Sequence, residues 1–197
     1  MTLVAAELTP VDVERTPIAG LWRVRAKSIT DERGTVREFF RTSSFAALGL
    51  PVPARWSQIN LTWTLRGAVR GLHGESVTKL VGVASGTAFG AYVDTRPESP
   101  SCGRVVTLRL EVGALVLVPP GVCNGFQAIS DCEYLYCFDA EWAPDMPGVA
   151  LRPTDPALGI VWPLTIDPDD PASISAKDAT APLLAELLRD RPACESS

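Results

Sequence analysis

The chain has 197 residues, 46% of them hydrophobic and 21% charged, with a formal net charge of -5 and no Lys/Arg run. Its length suits a single domain with a core of ordinary size, and its charge excludes the clustered positive surface that a nucleic-acid polymer requires. It does not exclude a small anion, because two or three arginines converging in a pocket hold a diphosphate on an acidic protein.

No stretch is long and apolar enough to span a bilayer, and Glu7, Asp12 and Glu14 stand where a secretory leader would carry basic and then apolar residues. A cytoplasmic protein with no membrane partner is expected. Cys102, Cys123, Cys132, Cys137 and Cys194 form no C-x-x-C pair, and an odd number suggests neither a disulfide framework nor a zinc knuckle. They are expected to be reduced thiols.

From about Ile18 to Trp162, short β-favouring runs such as TVREFFRT, ARWSQINLTWT and EYLYCFD alternate with Gly, Pro and Asp turn residues, the pattern of an antiparallel sandwich or barrel. SSFAALGL at 43–50 predicts one short helix with Ser43 or Ser44 as its N-cap and Gly49 near its end. KLVGVASGTAFGAYVDTR fits a strand buried on both faces or two strands joined at Ser85-Gly86, which predicts a hairpin. LVLVPPGVCNGF predicts a strand that stops at Pro119-Pro120-Gly121. In the tail, a Pro/Asp-rich loop leads into Leu183, Leu184, Leu187 and Leu188 at helical spacing. The expected organisation is one mainly β domain over 1–197, with its core at about 18–165 and a helical tail at about 173–190.

The densest polar constellation is Gln58-x-Asn60, then Arg70-Gly71-Leu72-His73-Gly74, then Lys79. Strand alternation puts Gln58 and Asn60 on one face but separates Arg70 from His73 unless the glycines bend the chain. His73 is the only histidine. Taken alone it reads more readily as a ring satisfied by a backbone carbonyl than as a base.

RGLHG at 70–74, DERG at 31–34 and PPG-x-x-N-GF at 119–126 resemble the dTDP-4-dehydrorhamnose 3,5-epimerase family. The resemblance continues through LYCFDAEWAP, DPALGIVWP and SAKD, covering roughly residues 18–180. It implies a cupin-type jelly-roll barrel that forms a homodimer, uses no metal or redox cofactor and takes a nucleotide-sugar substrate. It also implies that His73 is the general base, that Asp178 orients it, that Tyr136 is the proton donor, and that Lys79 lies near the ketone oxygen. Arg33, Glu38 and Arg70 match residues that bind the nucleotide diphosphate and sugar, and Gln58, Asn60 and Asn124 match polar positions of the same pocket.

The chemistry asks for such a set. A proton on carbon 3 or 5 of a 4-keto-6-deoxyhexose is acidic because the ketone takes up charge as an enolate, so a base and an oxyanion donor are needed, with a proton delivered to the opposite face. Three departures from the family pattern bear on the outcome: Asn124 where many members carry His, Glu141-Trp142 where Tyr-Tyr is frequent, and Gly74-Glu75 beside the base. They leave open whether one or two carbons are inverted. A non-catalytic sugar-nucleotide-binding cupin is the alternative from a different class.

Overall fold

The computed structural model describes residues 6–189. Its strands are β1 Glu7–Thr9, β2 Asp12–Arg15, β3 Trp22–Arg25, β4 Lys27–Asp31, β5 Gly34–Glu38, β6 Gln58–Thr64, β7 Val69–Glu75, β8 Lys79–Ser85, β9 Thr87–Asp94, β10 Val105–Glu111, β11 Ala114–Val118, β12 Val122–Ala128, β13 Cys132–Phe138 and β14 Gly148–Ala150. They form a six-stranded sheet in the order β2-β3-β11-β8-β13-β6 and a five-stranded sheet in the order β10-β9-β12-β7-β14. A separate three-stranded sheet, β1-β4-β5, pairs with neither. Strand structure thus begins at Glu7, ahead of the Ile18 at which the sequence pattern becomes regular.

The chain crosses repeatedly between the two large sheets, which makes this a cupin-like jelly roll, mainly β with short helices. Val81, Val83, Tyr92, Val116, Phe126 and Tyr134 belong to one buried cluster in the barrel interior. Leu80, Leu115 and Leu117 from the outer face of the six-stranded sheet meet Phe45, while Leu72, Ala91 and Val93 from the other sheet meet Leu151 and Leu158. Strands β8 and β12 are therefore buried on both faces, as central strands covered on both sides are.

Two expectations about local structure are corrected. Ser85-Gly86 is a turn between two strands but no hairpin: β8 pairs with β11 and β13, whereas β9 pairs with β10 and β12. Gly86, at φ 78°, carries the chain from one sheet to the other, and a Cβ there would lie 2.9 Å from the Cβ of Cys132. Helix α1, Thr42–Ala47, has Arg41 at its N-cap with no side-chain cap bond, so neither serine caps it. Burial of Phe45 against Phe40, with ring centroids 4.9 Å apart, sets its position instead.

The Pro119-Pro120-Gly121 stop separates β11 in one sheet from β12 in the other. The tail forms two short helices, α2 at Ala176–Ala179 and α3 at Leu184–Arg189, interrupted where Pro182 supplies no N–H. Asp155 ties this region down by accepting from the N–H groups of Ala157 at 2.9 Å and Leu184 at 2.7 Å. Cys123, Cys132 and Cys137 are buried free thiols, but Cys102 departs from the expectation of reduced cysteines, being disulfide-bonded. Cys194 lies outside the described residues.

The pairing of β7 with β12 slips by one residue: Asn124 opposes His73 while Phe126 opposes Arg70. Three steps along β7 span two along β12, so the bulge returns Arg70 to the face of His73. Gly71, at φ 110°, occupies the extra position, and a Cβ there would meet Gly125 Cα at 2.7 Å and Asn124 O at 2.8 Å. Gly71→Ala is expected to cost about 2 to 4 kcal/mol, combining backbone strain with a main-chain clash. Gly103→Ala, also at positive φ but with nothing within 4 Å, should cost only about 1 kcal/mol. Urea unfolding of the two variants checks this difference.

Candidate active site

A cleft of about 700 Å³ opens between β6, β7, β13 and the segment around α2. His73 and Arg70 reach it from β7 in the five-stranded sheet, and Tyr136 reaches it from β13 in the six-stranded sheet. The histidine and the phenol therefore stand on opposite walls. Asp178 and Lys177 enter from α2.

His73 Nε2–H donates to Asp178 Oδ1 at 2.7 Å. An ionised carboxylate only accepts, so Nε2 carries a proton toward Asp178, and in the neutral form of the ring the lone pair is on Nδ1. Asp178 is buried and further held by the N–H of Gly71 at 3.3 Å. Burial by itself would raise its pKa, but the His73 hydrogen bond and charge, the Ser175 contact and the Gly71 N–H together outweigh it and hold the carboxyl below its ordinary range. The Ser175 hydroxyl also accepts from the Asp178 N–H at 3.1 Å, which caps α2 and orients the carboxylate at its first turn.

Tyr136 is half-buried between Tyr134 and Phe138, with ring centroids 5.0 and 6.0 Å away. Burial pushes its phenol up, Arg70 opposes the shift, and Glu75 adds to it. Tyr136 is thus held as a neutral hydroxyl, the form that donates a proton. Arg70 is exposed and its Nε donates to Thr64 Oγ1 at 3.0 Å.

Of the residues singled out from the sequence, His73, Tyr136, Asp178 and Arg70 line the cleft. Lys79 is buried behind it, its Nζ 2.5 Å from Glu75 Oε2 and 3.1 Å from the His73 carbonyl oxygen. Asn124, also buried, opposes His73 across the strand pair and so shares its face. Gln58 and Asn60 bond to each other at 3.2 Å, and Gln58 Oε1 accepts from the Trp142 N–H at 2.7 Å. Arg33 and Glu38 are not brought to the cleft: they belong to the segment of the separate sheet, where Arg33 pairs with Asp31 and Glu38 with Arg41.

Lys177 and Trp63 line the cleft and were not singled out from the sequence. Lys177 stands inside SAKD, one residue before Asp178, so the motif contained it. Among the described residues neither Lys177 nor Arg70 has an ion-pair partner, leaving two cations at the cleft. No group of three or more His, Cys, Asp or Glu residues among the described ones is arranged to hold a metal ion.

The two sheets of the jelly roll thus present a carboxylate-bound histidine and a neutral tyrosine across one cleft, two groups able to accept and to donate a proton. The chain belongs to the dTDP-4-dehydrorhamnose 3,5-epimerase family, whose model matches residues 15–186. It is an isomerase-family protein of the deoxysugar epimerase type. It is 34% identical over 183 residues to dTDP-4-dehydrorhamnose 3,5-epimerase of Salmonella typhimurium, covering 89% of this chain and 97% of that one. It is 32% identical over 180 residues to dTDP-4-dehydro-6-deoxyglucose 3-epimerase of Streptomyces bikiniensis, covering 87% and 88%. The structure of dTDP-6-deoxy-D-glucose-3,5-epimerase from Legionella pneumophila, solved with dTDP-4-keto-L-rhamnose, superposes with a TM-score of 0.80 at 31% identity, covering 94% of this chain and all of that one.

The depressed carboxylates set the acid stability. Because Asp94, Asp178 and Glu75 titrate below their ordinary values in the folded protein, their stabilisation is complete above those values and is lost as pH falls through the lower folded ones. The melting temperature should be nearly flat from pH 7 to about 5 and fall below about 4. Thermal scans of Asp178→Asn should show a smaller fall over the same interval.

Proposed function

We propose that the cleft binds a dTDP-linked 4-keto-6-deoxyhexose and epimerises it at carbon 3, carbon 5 or both, in deoxysugar biosynthesis. One observation carries the reading: the base and the acid face each other from different sheets. His73, with Asp178 fixing its tautomer, takes the proton beside the ketone through its free nitrogen, and the Asp178 carboxylate stabilises the imidazolium that forms. The electron pair moves into the ketone to give the enolate, with the Lys79 ammonium as the nearby positive charge. Tyr136 then returns a proton to the opposite face, inverting the carbon. No metal or redox cofactor takes part.

Arg70 and Lys177 supply the charge for the diphosphate, with Asn124 as a buried polar contact beside His73 and Gln58 and Asn60 as polar contacts at the exposed edge strand β6. Relatives named as 3,5-epimerase and as 3-epimerase match this chain at 34% and 32% identity, too close to choose between them. Glu141 and Trp142, standing where relatives often carry Tyr-Tyr, keep a single-carbon epimerase as the second reading. A binding-only cupin gives no reason to keep the His73–Asp178 pair together with a cleft-facing phenol.

The whole chain acts as one cytoplasmic domain, and it works as a homodimer. Ile59, Leu61 and Trp63 on the edge strand β6, and Leu65 just past its end, are each more than half exposed, an apolar row that a second copy would cover. Arg33 and Glu38 then contact a substrate only across such an interface, because they do not line their own cleft. Leu61→Glu should convert the dimer to a monomer in light scattering coupled to gel filtration. A dimer that persists in this variant places the interface elsewhere.

Solvent-deuterium exchange into dTDP-4-keto-6-deoxyglucose, followed by mass and proton NMR, tests the reaction. His73→Asn should abolish exchange at every carbon while circular dichroism remains that of the wild type. Tyr136→Phe should exchange more than it inverts, with net epimerisation slowed by roughly a hundredfold to ten-thousandfold. Equal loss of exchange and inversion would make Tyr136 a substrate-positioning group instead.

A further inference from the structure

Glu75 has no part in the steps above, yet it touches the one cation assigned to the oxyanion. Glu75 and His73 are two residues apart on β7 and share the interior face. Lys79 opens β8, where it opposes Phe138, two residues beyond Tyr136. The Lys79 side chain is 3% exposed and that of Glu75 17%. Burial pushes the Glu75 carboxyl up, but the charge and hydrogen bond of Lys79, a backbone hydrogen bond and the nearby His73 outweigh it, so Glu75 is held ionised.

Such a pair is a poor device for stability. Desolvating two charges costs more than their attraction commonly returns, and apolar residues of the same volume leave a core as stable or more so. Its geometry has a different use. An ammonium carries three N–H groups. One goes to Glu75 Oε2 and one to the main-chain oxygen of His73, which leaves a single donor. The lysine stem is long and flexible, so two fixed contacts determine where the third N–H points.

We propose that Glu75 is a positioning residue for the epimerisation, anchoring the Lys79 ammonium to the His73 strand so that its remaining N–H is aimed at the oxygen that becomes the enolate. The proposal rests on the epimerase reading of the cleft. Glu75 ties the oxyanion donor to the same strand as the base, and the two move together. Its charge also acts on the Tyr136 phenol, so the base, donor and acid share one electrostatic neighbourhood.

The test uses the full chain with dTDP-4-keto-6-deoxyglucose. Glu75→Ala should lower kcat and deuterium exchange together by about a hundredfold, with KM within about threefold because the diphosphate is held elsewhere. Glu75→Gln keeps an acceptor for Nζ and should recover to within about tenfold of wild type. Lys79→Met and the Lys79→Met/Glu75→Ala double variant should be equally impaired, since Glu75 acts through Lys79. With lysine-selective ¹⁵N labelling, the Lys79 ammonium signal should be protected from solvent exchange in wild type and Glu75→Gln and lose that protection in Glu75→Ala. Should Glu75→Ala fail to fold, Glu75→Leu, which refills the buried volume, carries the same readouts. Wild-type exchange rates in the Ala or Leu variant, losses that multiply in the double variant, or an unchanged Lys79 signal would overturn the proposal. Absence of exchange in the wild type would instead refute the epimerase reading, and the ammonium signal would decide the Glu75 anchor separately.

Discussion

The contact on which the site depends is the close approach of two main chains where Gly71 on β7 meets Gly125 on β12. Only a residue without a Cβ fits there, and the extra residue it admits turns Arg70 and His73 to one face. The N–H of the same glycine donates to Asp178, so the bulge also docks the tail that carries the carboxylate partner of His73. A regular ladder in this place would send Arg70 to the outside of the barrel and leave the N–H committed to its sheet neighbour.

Dividing the proposed base and acid between two sheets has a second consequence. A base and an acid on one strand would approach a substrate from the same side and could only exchange a proton, whereas groups on facing sheets reach both faces of a planar enolate. The jelly roll supplies this division because successive strands cross between sheets. The turns that make the crossings, at Gly86 and Gly121, are both at φ 78°, where a side chain would strain the backbone.

Charge is distributed against the overall balance. The chain is acidic, yet Arg70 and Lys177 stand unpaired by any carboxylate among the described residues at the mouth where a diphosphate would lie. Deeper in, Lys79 is neutralised by Glu75, and His73 is matched by Asp178. The cleft thus presents positive charge outside and compensated pairs inside, an arrangement that favours binding an anion at the rim while keeping the reacting centre close to neutral.

The sequence by itself determined the strand-rich class and the glycine and proline stops, because these depend on local propensity, whereas His73, Tyr136 and Asp178 were picked out together only through the resemblance of their motifs to the family. It also flagged that Arg70 and His73 share a face only if the glycines bend the chain. Other features were decided by tertiary structure alone. Ser85-Gly86 has the chemistry of a hairpin turn, but which strands pair beyond it depends on partners some thirty to fifty residues away. Arg33 and Glu38 lie in a motif yet end outside their own cleft, since the sheet that holds them pairs with neither wall. Lys79 is four residues from Glu75, a spacing that on strands joined by a turn says nothing of contact, and only the folding of β7 and β8 into facing sheets brings the two charges together.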